Sequence, residues 1–132
     1  MKYPALSISE KSWRKKELEL DAFVFFDEFN YNKNIKTFEK YFLNKKICDS
    51  NGEIYRITGR KLPDNVWRRL FSFLPNVYKC EYITKRTNEK WTLENLRNYL
   101  IERISELEQD DFSQEWITDV RKAKTYEELI TN

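Results

Sequence analysis

The alternation of apolar and polar positions changes period several times along the chain. Glu17 to Ala22 alternates acidic and apolar residues, and Phe23 to Phe26 is apolar on both faces. Period two with aromatic and β-branched residues predicts a strand over 17–26, half exposed at its start and buried at its end. Ile35, Phe38, Tyr41 and Phe42 then recur at three and four residues, which predicts a short helix capped by Asn34. Lys46 to Thr58 sets Asn51-Gly52 between two β-rich stretches, so a hairpin closes on residues that accept positive φ, and Gly59 ends its second strand. Pro63-Asp64 starts a helix whose buried face is Val66, Trp67, Leu70, Phe71 and Leu74, and Pro75 stops it. Val77 to Thr84 reads as a strand with Tyr78, Cys80 and Tyr82 on one side and Lys79 and Glu81 on the other. The polar run Lys85 to Lys90 reads as a turn.

The last third is helical in period. Thr92 caps a run in which Leu93, Leu96, Leu100, Ile104 and Leu107 form one stripe. Asp111 and Gln114 resemble a capping pair for a second helix that buries Trp116, Ile117 and Val120. Thr125 and Glu128 fit a capping box before Leu129 and Ile130. The order strand, helix, hairpin, helix, strand and three helices predicts one α+β domain over 1–132. Its expected core is a small antiparallel sheet of three or four strands, packed by helices, with a helical C-terminal third.

Composition narrows the functional classes. The chain has 132 residues, 40% of them hydrophobic, enough apolar content for a packed core and too much for a disordered segment. Two Gly and three Pro exclude collagen-like and Gly-rich-loop architectures. The absence of His removes the commonest general base and the commonest metal ligand. Two cysteines are too few for a disulfide framework and too far apart for CxxC chemistry. Met1 to Lys16 has only short apolar patches among its bases, unlike a secretory leader, so a reduced, cytoplasmic protein is expected. The net charge is only +2, but it is segregated: residues 33–90 carry +8 and residues 91–132 carry −5.

Candidate chemistry is sparse. Cys80, between two tyrosines on an apolar strand face, reads as a core thiol. Cys48, beside Lys46 and Asp49, is expected to point outward near the hairpin turn, yet no His stands ready to activate it. Asp110-Asp111 lacks the DxD spacing of carboxylate metal sites and reads as a solvated turn between helices. No catalytic, cofactor-binding or metal-binding residue is therefore expected. Arg56, Arg60, Lys61, Arg68 and Arg69 fall within fourteen residues, near Tyr55 and Trp67. They offer an alternative, a nucleic-acid-binding patch in which charge tracks the backbone and rings stack on bases. The near-neutral total and the lack of RNP, HTH or GxxG patterns favour a solvated basic face instead. Trp13, Tyr3 and Tyr31 lie outside every periodic run and are the expected exposed aromatics.

The hairpin Asp49-Ser-Asn-Gly-Glu-Ile-Tyr-Arg-Ile57 and the ending Thr125-Tyr-Glu-Glu-Leu-Ile130, in a short motif-free chain, resemble small bacterial toxin-immunity proteins. These are the proteins that neutralise contact-dependent or polymorphic toxins. The resemblance implies an antitoxin that binds a cognate protein toxin stoichiometrically, performs no chemistry and needs no cofactor, metal or membrane. Many toxins of this kind are nucleases with basic clefts, which makes the acidic carboxyl third the complementary surface. Its expected contact residues are Glu106, Asp110, Asp111, Glu115 and Asp119, clustered around one helix–helix turn.

Overall fold

Residues 1–11, 13, 23–31, 35–62 and 79–131 are described in the computed structural model. In chain order they form β1 (Ala5–Ser7), β2 (Val24–Phe25), β3 (Phe29–Tyr31), α1 (Ile35–Tyr41), β4 (Lys46–Cys48), β5 (Glu53–Lys61), β6 (Lys79–Lys90), α2 (Leu93–Ser105), α3 (Asp111–Lys122) and α4 (Tyr126–Thr131). The expected strand residues 17–22, the cap Asn34, the helix from Pro63 to its stop at Pro75, and Val77 and Tyr78 at the start of the expected strand over 77–84 lie outside the described residues.

The fold is α+β, as the periodicity predicts, but the sheet is larger than expected. Among the described residues it has six strands in the order β2-β1-β4-β5-β6-β3, with every pairing between them antiparallel. The two unexpected strands, β1 and β3, have three residues each, too few to display a period. β5 continues past Gly59 to Lys61, and β6 continues through the presumed turn to Lys90. Lys85 to Asn88 lacks Gly and Pro, so nothing forces the chain to reverse. Its polar side chains are satisfied across the sheet: Arg86 pairs with Glu53, Glu89 with Lys46, and the Thr87 hydroxyl donates to the Ile54 carbonyl at 2.8 Å.

Strand residues alternate between two covered faces. Leu6, Cys48 and Ile54 stand in register across β1, β4 and β5. They join one core with Leu96, Leu100, Ile104, Ile117, Val120, Leu129 and Ile130 from the three C-terminal helices. Ala5, Phe25, Ile47 and Ile57 point the other way and pack on Phe38 of α1. A helix layer therefore lies on each side of the sheet.

Local codes set the helix ends. The Thr92 hydroxyl accepts from the Asn95 amide at 3.1 Å, and Asn95 Oδ1 accepts from the Thr92 amide at 3.1 Å, a reciprocal cap for α2. The cap of α3 is Asp110 rather than the expected Asp111–Gln114 pair: Asp110 Oδ1 accepts from the Ser113 amide at 2.8 Å. At α4 the Thr125 hydroxyl accepts from the Glu128 amide, while the Glu128 carboxylate accepts from the Lys124 amide, one residue before the Thr125 amide that a capping box would engage. Arg97 of α2 donates to the carbonyls of Val120 and Ala123, filling acceptors that the end of α3 leaves open.

The Asn51-Gly52 turn joins sheet to helices. Gly52 has φ +80°, its carbonyl accepts from the Trp91 amide at 2.8 Å, and the Tyr126 hydroxyl donates to the Trp91 carbonyl at 2.8 Å. Beside it the buried Asp49 carboxylate accepts from the amides of Lys2, Asn51 and Glu53 at 2.9–3.0 Å. That carboxylate is consumed in holding the turn.

Candidate functional site

Helix α3 carries two adjoining faces. Ser113, Ile117 and Val120, at spacings of four and three, are buried against the rest of the protein. One position earlier in each turn, Phe112, Trp116 and Asp119 face outward together with Glu115, and these four line a surface recess of about 290 Å³. Phe112 is 69% exposed, comparable with Phe26 at 68%, and differs from it in standing over this recess. Its ring lies 6.1 Å from that of Trp116. Trp116 is half-buried rather than fully buried as expected. It stacks on Trp13 at 5.9 Å, and Trp13 stacks on Phe23 at 5.8 Å. Four rings thus run in a ladder from the core to the solvent at the recess.

The five acidic candidates divide. Asp111, Glu115 and Asp119 are exposed, and Glu115 and Asp119 border the recess one turn apart. Asp110 is exposed but engaged as the α3 cap, and the Ser113 amide holds its carboxyl below the usual range. Glu106 is half-buried: its Oε2 accepts from the Trp13 amide at 3.0 Å and its Oε1 lies 3.4 Å from Arg103 Nη2. It ties the amino-terminal segment to the end of α2. Phe112 was missed by periodicity reasoning, although its offset by one position from the Ser113–Ile117–Val120 stripe is a signal that a helical wheel displays.

Of the basic candidates among the described residues, Arg60 is separated from Arg56 and Lys61. Arg68 and Arg69 lie outside the described residues. Arg56 and Lys61 stand on the opposite sheet face from Arg60, because a register shift separates Ile57 from Gly59. Arg60 sits over the Phe38 ring at 5.3 Å. Arg56 instead lies between Lys46 and Lys85, in direct cross-strand register with both.

Two aromatic expectations are overturned. Trp13 is only 4% exposed, clamped between Phe23 and Trp116, because tertiary stacking supplies what no local period shows. Tyr3 is half-buried, and burial pushes its hydroxyl up to about 12. The side chain of Tyr31 lies outside the described residues.

Cys80 is buried as expected, and Cys48 is buried too rather than outward-pointing. β4 places Cys48 between Leu6 and Ile54, facing the helices. Burial, then the Asp49 charge, pushes its thiol up to about 12. A thiol held above its ordinary value stays protonated at pH 8 and is a poor nucleophile. Both cysteines should therefore resist Ellman's reagent at pH 8 until denaturant is added; rapid native labelling of either would contradict this placement. Among the described residues no group of three or more Cys, Asp or Glu is placed to hold a metal ion, and no helix is long and apolar enough to cross a membrane. Comparisons with family models, curated proteins and solved structures returned no match.

Proposed function

We propose that this chain is a non-catalytic binding protein of the immunity type, which neutralises a cognate protein toxin by direct stoichiometric contact through the outer face of α3. The observation that carries the reading is Phe112, held in solvent beside Trp116 and flanked by Glu115 and Asp119. Folding gains nothing from an aromatic ring left in water, whereas burying it under a partner would contribute roughly 1.5–3 kcal/mol. Aromatic anchors dominate protein interfaces, and surrounding acids steer a basic partner such as a nuclease cleft. The test is co-expression with the toxin encoded beside its gene. Wild type should protect, Phe112→Ala should weaken the complex by about 2 kcal/mol, and Glu115→Lys with Asp119→Lys should slow association. None of these exposed changes should unfold the protein. Absence of protection by wild type, or unchanged binding by both variants, would sink the proposal.

A second reading is favoured by Arg56 and Lys85, which stand directly opposite each other on β5 and β6, whereas the third base of that row, Lys46, is already paired with Glu89. Like charges directly opposite on neighbouring strands are unfavourable, and a polyanion laid across them would relieve the repulsion. Under this reading the protein binds single-stranded RNA or DNA with an affinity that falls steeply with salt. Arg56→Glu with Lys85→Glu should then abolish that binding; salt-insensitive or unchanged binding speaks against it.

A further inference from the structure

We infer that the recess on α3 is a receptor for a single arginine side chain presented by the protein partner, with Phe112 and Trp116 as its walls and Glu115 and Asp119 as its counter-charges. The inference deepens, and rests on, the reading of this face as a protein-binding surface. Size comes first. A recess of about 290 Å³ falls just below the roughly 300–1,000 Å³ of small-molecule sites, which suits one inserted side chain better than a whole cofactor.

Shape and charge then select the side chain. The rings of Phe112 and Trp116 lie 6.1 Å apart, tilted by 48°, and both line the recess, so aromatic surface borders its space. A planar guanidinium stacks on aromatic faces and is more weakly hydrated than an ammonium. Glu115 and Asp119 stand four residues apart on the same side of the helix, where each can accept from the guanidinium fork. Among the described residues neither carboxylate has an ion-pair partner. Arg121 and Lys122 lie in the last turn of the same helix, yet neither neutralises them. Two like charges one turn apart, left uncompensated beside an exposed aromatic ring, are disfavoured by folding alone and complementary to an incoming cation.

The test uses the full-length protein labelled with nitrogen-15 and three probes: the N-acetyl N-methylamides of arginine, lysine and citrulline. Citrulline keeps the shape of arginine and removes the charge. The arginine probe should shift the Trp116 indole N–H resonance saturably. The other two should bind at least about tenfold more weakly, and so should arginine itself to Glu115→Gln with Asp119→Asn. Equal shifts from citrulline, equal affinity for lysine, or no saturable shift would each overturn the assignment. The outcome is independent of any toxin. Arginine binding without protection of cells would retain the recess and remove the immunity reading, whereas protection without arginine binding would do the reverse.

Discussion

A chain truncated after Lys90 should show no cooperative thermal transition. The helical core face is built from Leu96, Leu100, Ile104, Ile117, Val120, Leu129 and Ile130 packed over Leu6, Cys48 and Ile54. Burying each large apolar side chain contributes roughly 1.5–3 kcal/mol, so losing these seven removes burial comparable with the roughly 5–15 kcal/mol by which a whole domain is stable. Removing them also bares the apolar strand residues Leu6, Cys48 and Ile54 on that face of the sheet. A milder cut at the same place, Leu100→Ala, should cost about 3 kcal/mol and leave the transition cooperative. Calorimetry on both proteins makes the comparison. An intact transition in the truncated chain would mean that the sheet and α1 stand without the C-terminal layer.

The second large effect is expected at a single methyl group. Gly52→Ala would place a Cβ 2.6 Å from the Tyr126 hydroxyl and into the Trp91 carbonyl, on a backbone whose φ is +80°. The left-handed conformation costs a side-chain-bearing residue roughly 1–2 kcal/mol. Displacing Tyr126 removes its hydrogen bond to Trp91, about 1 kcal/mol more. The two together predict a loss of roughly 2–3 kcal/mol, against about 1 kcal/mol for Tyr126→Phe. Urea midpoints at unchanged slope measure both. A Gly52→Ala protein as stable as Tyr126→Phe would falsify the claim that this turn is pinned from both sides.

That turn was legible because its code is local. Asn51-Gly52 between β-rich runs, Thr92 ahead of a leucine stripe and Thr125 before Glu128 each specify a conformation within a few residues. The elements that escaped reading are set by distant partners. Ala5–Ser7 and Phe29–Tyr31 become strands because β4 and β6 offer them hydrogen-bonding edges, not because three residues carry a period. Lys85 to Lys90 is extended because Glu53, Ile54 and Lys46 answer its polar groups from neighbouring strands. Cys48 turned inward for the same kind of reason: register with Leu6 and Ile54 overrides the polar neighbours Lys46 and Asp49. At the candidate site the acidic run was visible, but its division of labour was not. Only geometry separates Asp110, spent on a helix end, and Glu106, spent on Trp13, from Glu115 and Asp119 at the recess.

The ring ladder from Phe23 through Trp13 and Trp116 to Phe112 also gives the molecule an optical property. Two indoles stacked 5.9 Å apart at an angle of 24° share their electronic excitation, so their absorption bands split and their circular dichroism takes opposite signs on either side of the crossover. One member of that pair is locked in the core, and the other borders the recess. Whatever settles against Phe112 alters the polarity around the outer indole alone and unbalances the pair. The protein therefore carries an unlabelled spectroscopic reporter wired from its interior to its candidate binding face.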